Sequence, residues 1–374
     1  MEATHLQNGV GGKRFRSIQE ISPAQRVRVN GYLRRDLKQG KEKTMKNNKS
    51  LMLTILGVLL VFSMLFPLTA VFAAADSYPS KPVRLIVPFA PGGSNDIIAR
   101  LIAAKLIERL GKQVIVENRS GAGGVLGTEL ASKADPDGYT LVIISAAYAF
   151  NPALGKSPFD PATAFAPIAK LGSGPVSLVV HPSVPAKSVK ELIALAKQKR
   201  GQLIASCSGA GSLQHLADEL FKIKAGIDFK IVQFKGGGPA MIDVLGGHSD
   251  LMIGSLIQTM PHIQSGKLRV LGTGGVNRTV ALPNVPTIAE AGAPGYECNN
   301  WWGILAPAGT PAPIVDRLSK ELKVIVTSDE ITKRFLSQGA EVDYLDPGKF
   351  GLFIAGELTK WSGVVKEANI KKGK

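Results

Sequence analysis

Short apolar runs and stretches of helical periodicity alternate along the chain from residue 76 onward. The first run, 83–89, is rich in β-branched residues and leads into a Pro-Gly-Gly turn, which predicts a buried strand. Apolar residues at helical spacing follow from Ile97 to Leu110, and Gly111 is the expected helix end. Further strands are predicted at 114–116, 140–145, 176–180, 203–206, 230–234, 251–253, 269–272 and 302–306, and further helices at 125–133, 188–199, 213–224, 311–327 and 347–368. This alternation is typical of an α/β fold with a largely parallel sheet.

An uncharged apolar segment at residues 51–75 precedes this alternation. Two lysines lie just before it, and Ala73-Ala74-Ala75 provides a small-residue cleavage site at its end. This order predicts a signal peptide at 45–75 that is cleaved near Ala75, and therefore an exported protein. The segment is also long enough for a transmembrane helix, but Pro67 interrupts it.

The 44 residues before that leader are polar and basic and show no sustained apolar period. Met45 opens a stretch that has the form of a signal-peptide start. We therefore expect Met45 to be the true start and 1–44 to be a mis-called extension. An unusually long basic region ahead of the apolar segment is the alternative interpretation.

The formal charge of +16 would by itself favour a nucleic-acid partner. Residues 1–75 contain 12 Lys+Arg and 4 Asp+Glu, so half of the excess belongs to the leader and the extension. The remainder is spread over 299 residues, without a dense basic run before Lys371-Lys372. We therefore expect no nucleic-acid binding, and a mildly positive exported protein suits a small anionic ligand equally well.

Three loops share one design, in which a strand leads into a Gly/Ser-rich turn and then a helix. They are 91–96, 121–127 and 208–212. Glycines allow the backbone to approach a ligand closely, and each helix start adds N–H donors and the positive end of a dipole. Loops of this kind bind anions, although each one alone is equally consistent with a plain strand-to-helix turn.

Motifs of nucleotide-binding proteins and enzymes do not fit. No glycine loop continues as the Gly-Lys-Ser/Thr of a P-loop, and Leu126 occupies the position of the third glycine of a dinucleotide fingerprint. G-x-S-x-G and H-E-x-x-H are absent from the sequence, so we expect no catalytic residues, no metal and no cofactor. Ser212 and His215 could form a nucleophile pair, but packing of His215 at a helix start is the simpler interpretation.

Cys207 and Cys298 are expected to be unpaired and buried, although a disulfide is possible in an oxidising compartment.

Several segments between 78 and 370, taken in one order, resemble the substrate-binding proteins of the tripartite tricarboxylate transporters, the TctC or Bug family. The matching stretches are Tyr78–Val83, Val87–Gly93 with Asp96 and Ala99-Arg100, Val116–Arg119 with Gly121–Gly127, Asp135–Leu141, Gly209–Leu216, Phe234–Gly236, Gly246–Asp250, Leu282–Thr287 with Glu290–Gly292, Trp302-Gly303 and Ala306–Pro311.

The resemblance implies a carboxylate held by backbone amides, small hydroxyl residues and ordered waters. The expected ligand-binding residues are Phe89, Ala90, Gly92, Gly93, Ser94, Asp96, Tyr148, Ser208, Gly209, Gly211, Ser212, Gly254 and Ser255. For Phe89 and Tyr148, core or rim packing is an equally good interpretation. Relatives usually carry an acidic residue and then asparagine where this chain has Gly254-Ser255, so a plain carboxylic acid is a better candidate than an α-amino acid.

The implied fold is a two-lobed periplasmic binding protein of type II, in which each lobe is a mainly parallel sheet flanked by helices and two crossovers form a hinge. Residues 76–179 with 300–374 would form one lobe, and 180–299 the other. The implied function is that of a monomeric periplasmic protein. It would capture a small di- or tricarboxylate or aromatic acid and deliver it to the membrane permease subunits. The alternatives are an exported hydrolase acting on a small acid, or a sensor subunit that presents its ligand to a signalling protein.

Overall fold

The computed structural model describes residues 78–367; the predicted signal peptide at 45–75, its cleavage site and the extension at 1–44 lie outside the described residues. The strands are β1 (Val83–Val87), β2 (Val114–Asn118), β3 (Thr140–Ser145), β4 (Phe165–Val180), β5 (Ile204–Cys207), β6 (Lys230–Gln233), β7 (Leu251–Ser255), β8 (Arg269–Thr273), β9 (Asn299–Pro307) and β10 (Glu341–Leu345). The helices are α1 (Ser94–Leu110), α2 (Val125–Ser132), α3 (Ala147–Ala153), α4 (Val189–Gln198), α5 (Leu213–Ala225), α6 (Gly237–Leu245), α7 (Leu256–Gln264), α8 (Ala312–Val326), α9 (Asp329–Ser337) and α10 (Pro347–Glu367).

The strands form one sheet in the order β2-β1-β3-β9-β4-β7-β5-β6, with β8 and β10 also paired to β4. The outer strands are parallel: β1 pairs this way with β2 and β3, and β5 with β6 and β7. The centre differs from the expected parallel pattern, because β4 and β9 run antiparallel to their neighbours. These two strands carry the chain from one half of the sheet to the other and back, and β9 returns between β3 and β4 in the direction opposite to both.

Strand β4 belongs to both halves of the sheet. Its first part pairs with β9 from Phe165 to Pro175, and its last part pairs with β7 and β8 from Val176 to Val180. Two shifts of register interrupt the first part, at Pro167–Ala169 and Lys170–Gly172. Prolines lack the N–H that a regular ladder needs, which accounts for a bulge beside Pro167.

The apolar face of α1 fixes the direction of that helix. Ile98, Ile102 and Leu106 recur at helical spacing, are fully buried and pack with the apolar residues of β1, β3 and α8. The helix ends at Gly111, whose left-handed conformation (φ 66°) lets its N–H bond to the Ile107 carbonyl. Among the helices between residues 78 and 367, none is both long and apolar enough to cross a membrane.

Helices begin directly after the carboxyl ends of the parallel strands. In one half β1 leads into α1, and in the other β5, β6 and β7 lead into α5, α6 and α7. Parallel strands place these ends along one edge, which is where ligands bind in α/β sheets. The fold therefore places the start of α1 at the edge of one half of the sheet. The starts of α5, α6 and α7 lie at the edge of the other half.

Candidate functional site

A cavity of about 370 Å³, including its mouth, lies where these two edges meet. Six residues predicted for the ligand site line it: Phe89, Gly93, Ser94, Ser208, Ser212 and Ser255. Seven further residues complete the lining: Asn95, Ser145, Leu213, Gln214, Gly237, Gln258 and Asn300. None of these lining residues, all within the described range, carries a formal charge.

Four helices present their first turn to the cavity. Gly93 and Ser255 precede α1 and α7, and neither gives its helix a side-chain cap. Gly236 precedes α6 and also provides no side-chain cap. Before α5, by contrast, the Ser212 hydroxyl accepts a hydrogen bond from the His215 amide at 3.3 Å. First-turn N–H groups have no partner within their own helix, and aligned peptide dipoles make this end positive. The cavity is therefore electropositive without a cationic side chain.

Asn300 ties together hydroxyl groups from both sides of the cavity. Its Nδ2 atom donates to Ser255 Oγ at 3.0 Å and to Ser94 Oγ at 3.4 Å, and Trp302 Nε1 also donates to Ser94 Oγ at 3.4 Å. A hydroxyl oxygen has two lone pairs, and at Ser94 both face N–H donors. The Ser94 hydroxyl hydrogen is therefore left to donate elsewhere, which suits a ligand that offers only acceptors.

Asn95 brings an unused donor to the same wall. The residue is 4% exposed, and its Nδ2 atom has no hydrogen-bond partner in the part of the chain that the structure describes. Buried polar groups in folded proteins are almost always hydrogen-bonded. An unpaired amide nitrogen on a residue that lines a cavity makes Asn95 a candidate donor to a ligand.

Three predicted site residues at the first glycine loop instead hold that loop in shape. The Asp96 carboxylate accepts from the Gly92 amide at 3.0 Å, from Asn118 Nδ2 at 2.9 Å and from Arg100 Nε at 3.0 Å. Burial raises the pKa of Asp96, but these hydrogen bonds outweigh burial, so its pKa lies below the usual value. The Ala90 amide donates to the Lys235 carbonyl at 3.1 Å.

The other predicted residues outside the lining are Tyr148, Gly209, Gly211 and Gly254. Tyr148 lines a neighbouring cavity and donates its hydroxyl to the Pro161 carbonyl at 2.6 Å. Gly209 and Gly211 shape the turn before α5 with φ of 117° and 86°, which glycine adopts readily. Gly254 lies within β7, and its carbonyl accepts from Ser177 Oγ at 3.3 Å.

Glycines allow the backbone of the first two glycine loops to touch the backbone of the other half of the sheet at two places. A Cβ atom on Gly238 would overlap the Pro91 carbonyl oxygen, and one on Gly123 would overlap the Ala210 carbonyl oxygen. Backbone can approach backbone this closely only where no side chain intervenes. We name these two contacts the Pro91–Gly238 seam and the Gly123–Ala210 seam.

Neither serine–histidine nor disulfide chemistry is assembled here. Ser212 Oγ bonds to the backbone N–H of His215, while His215 Nδ1 accepts from the Gly211 amide at 3.4 Å. Cys207 and Cys298 are free and buried, as expected, and burial raises the pKa of Cys298 to about 12. Within residues 78–367, Ser212 and His215 therefore do not form a nucleophile pair, and Cys207 and Cys298 do not form a disulfide.

Sequence reasoning missed the amide side chains of the site. Asn95, Gln214 and Gln258 each stand in the first turn of a helix, and Asn300 is the second of two asparagines that open β9. Asn300 lies just before the strand predicted at 302–306, so no local pattern separated it from a loop residue. No local pattern marks the two glutamines, because their meeting depends on how α5 and α7 are placed by the sheet.

Comparison with known proteins identifies the family. Residues 98–370 match the profile of the tripartite tricarboxylate transporter family receptor, TctC. Protein BugT of Bordetella pertussis is 36% identical over 330 residues, covering 87% of this chain and 99% of BugT.

Two solved structures combine a similar sequence with a bound ligand. Rpa4515 of R. palustris with adipate has a TM-score of 0.75 and 36% identity, covering 78% of this chain and 98% of that one. MatC of Rhodopseudomonas palustris with bound malate has a TM-score of 0.72 and 31% identity, covering 77% of this chain and 100% of MatC. The predicted α/β binding-protein fold is thereby confirmed, and the chain belongs to the TctC family of tripartite tricarboxylate transporter receptors.

Proposed function

We propose that this protein is a periplasmic receptor that captures a small carboxylate and delivers it to the permease of a tripartite tricarboxylate transporter. The observation that carries the proposal is the uncharged, donor-rich cavity, where four helices begin and the Asn95 amide nitrogen is unpaired. Adipate and malate in two relatives support the ligand class. The predicted signal peptide supports export, and permease genes next to the receptor gene would support the partner.

The ligand carboxylate is bound by fixed dipoles and hydrogen bonds in this proposal. One oxygen takes the Ser94 hydroxyl and Asn95 Nδ2, and first-turn amides of α1 and α5 supply the remaining donors. Such donors are already oriented, and a dry cavity strengthens each hydrogen bond. The charge of the ligand is balanced without a buried arginine or lysine, so the ligand-free site has no unpaired cation to desolvate.

Two lobes that close on the ligand complete the proposal. Residues 76–179 with 300–374 form one lobe and 180–299 the other, with β4 and β9 as the crossovers. The Pro91–Gly238 and Gly123–Ala210 seams are then the closed-state contacts between lobes. Closure buries most of a small ligand, as is usual for hinged binding proteins.

Gly238→Ala is expected to weaken carboxylate binding at least about tenfold, because the added methyl group forces the Pro91–Gly238 seam apart. Alanine favours a helix over glycine by about 1 kcal/mol, so thermal stability should not fall. Gly356→Ala in α10, where a Cβ atom meets nothing within 4 Å, is the matched control. Titration calorimetry would compare the variants; equal affinities for Gly238→Ala and parent would contradict closure at this seam.

A thermal-shift screen tests the ligand class. Succinate, malate, adipate, citrate and benzoate would be compared with the amide of each acid, using protein refolded from urea to remove any carried-over ligand. At a 100-fold excess over Kd a ligand adds roughly 2.7 kcal/mol of stability. We expect at least one acid to raise the melting temperature while its amide does not. Absence of a shift with every carboxylate would overturn the proposal.

A further inference from the structure

Asn300 lines the cavity but has no hydrogen-bonding capacity left for a ligand. The residue is 2% exposed, and its Oδ1 atom accepts from the Trp301 amide at 3.0 Å and from the Ala146 amide at 3.3 Å. Its Nδ2 atom donates to Ser255 Oγ at 3.0 Å and to Ser94 Oγ at 3.4 Å. An amide side chain offers two acceptor sites and two donor hydrogens, and all four are used here.

The backbone fixes which way the Asn300 amide faces. Two main-chain N–H groups point at Oδ1, so a reversed amide would set its own N–H groups against them. Asn300 also stands opposite Gly174 in the register of β9 and β4, and Ser255 stands opposite Val176 in that of β7 and β4. One short stretch of β4 therefore places the amide beside Ser255.

Ser255 departs from the usual role of a serine at a helix start. Such a serine normally accepts a hydrogen bond from a first-turn amide, as Ser212 does before α5. Ser255 makes no such cap before α7, and its hydroxyl oxygen accepts from Asn300 instead. The Ser255 hydroxyl hydrogen is thus left to donate elsewhere, like that of Ser94.

We propose that Asn300 is a positioning residue that aims the Ser94 and Ser255 hydroxyls into the cavity as paired donors without itself binding the ligand; this rests on the proposed carboxylate-binding function. Ser94 belongs to the half of the sheet that contains β1, and Ser255 to the half that contains β7. Both hydroxyls depend on one amide nitrogen, so the loss of one loosens the amide and misdirects the other. The two serines therefore contribute to affinity as a coupled pair.

A double-mutant cycle tests the inference by titration calorimetry. Succinate, malate, adipate, citrate and benzoate are the probes, and the cycle uses the one that binds the parent protein most tightly. Ser94→Ala and Ser255→Ala are each expected to lower affinity about tenfold. The double variant should lose about tenfold to thirtyfold, rather than the roughly hundredfold that independent sites would give.

Asn300→Ala tests whether the amide is the source of this coupling. In that background Ser94→Ala should cost about twofold or less, because the Ser94 hydroxyl is already misdirected. A residue that only supported the fold would leave the cost of Ser94→Ala unchanged. Asn299→Ala is the matched control, since it makes the same change at the exposed neighbouring position of β9, outside the cavity lining. In the Asn299→Ala background the cost of Ser94→Ala should stay at about tenfold.

The outcomes separate this inference from the function on which it rests. Additive effects of the two serine changes in the parent protein would overturn the inference and leave the carboxylate receptor standing. An undiminished cost of Ser94→Ala in the Asn300→Ala background would do the same. If no probe binds the parent protein, both proposals fail. The cycle on the parent protein remains decisive even if Asn300→Ala does not fold.

Discussion

Asn95→Asp is expected to lower carboxylate affinity about a thousandfold while leaving the fold intact. The change keeps the size of the side chain but replaces the unpaired Nδ2 donor with an acceptor oxygen. Two carboxylates about 4 Å apart repel by about 4 kcal/mol at an effective dielectric constant near 20, which corresponds to that loss of affinity. The uncharged lining contains no cation to offset this repulsion.

The helix dipole offsets only part of the cost of the new charge. Residue 95 lies in the first turn of α1, where an aspartate interacts favourably with the helix dipole by roughly 0.3–1 kcal/mol. The position is buried, so the melting temperature without ligand should be close to the parent value at low pH and should fall as the carboxylate ionises. Lowering the pH should partly restore binding to Asn95→Asp, because protonation removes the repulsion.

Calorimetry between pH 4.5 and 8 would measure both effects. Asn284→Asp, in an exposed loop remote from the cavity lining, adds the same charge and should leave affinity unchanged. Affinity of Asn95→Asp within tenfold of the parent at pH 8 would mean that the ligand does not contact this wall.

The parts of the fold that follow local chemistry were predictable. The strand before each glycine loop and the helix after it lie close to their predicted positions, because turn residues and apolar spacing are local signals. The predicted strand at 176–180 is only the end of β4, which begins at Phe165. The first part of β4 was not predicted because it contains residues of low strand propensity, namely Pro167, Gly172 and Pro175. Pairing with β9 overrides that low propensity.

The site itself was predictable only in part. Ser94 and Ser212 stand at helix starts after glycine turns, and both line the cavity. Asp96 carries the same local signal but turns towards Arg100 and Asn118, since sequence does not show which partner a carboxylate finds. Gln258 and Asn300 reach the site through the sheet, over distances in sequence that local patterns do not span.

Asp218 is the second position where a large effect is expected, on stability rather than binding. It is fully buried in α5, and neither carboxylate oxygen has a hydrogen-bond partner in the described part of the chain. Burial raises the pKa of Asp218 well above its usual value, and Glu219 adds to the shift. The folded protein therefore keeps this proton at pH values where the unfolded chain has released it.

Asp218→Asn should accordingly stabilise the protein more as the pH rises. Between the unfolded and folded pKa values the unfolded chain binds fewer protons, so the free energy of unfolding of the parent falls by about 1.4 kcal/mol per pH unit. Asparagine has nearly the same size and does not titrate, so the variant escapes this loss. At pH 4 and below the two proteins should be similar, and the difference should grow steadily above that.

Urea unfolding at several pH values between 4 and 8 would measure this difference. Asp316→Asn is the matched control, since it makes the same change at an exposed position of α8. Its stability relative to the parent should show no comparable rise with pH. If Asp218→Asn instead lost stability as the pH rose, the carboxylate would have to be ionised and paired in the native state. A fully buried carboxylate with no hydrogen-bond partner among residues 78–367 gives the opposite sign.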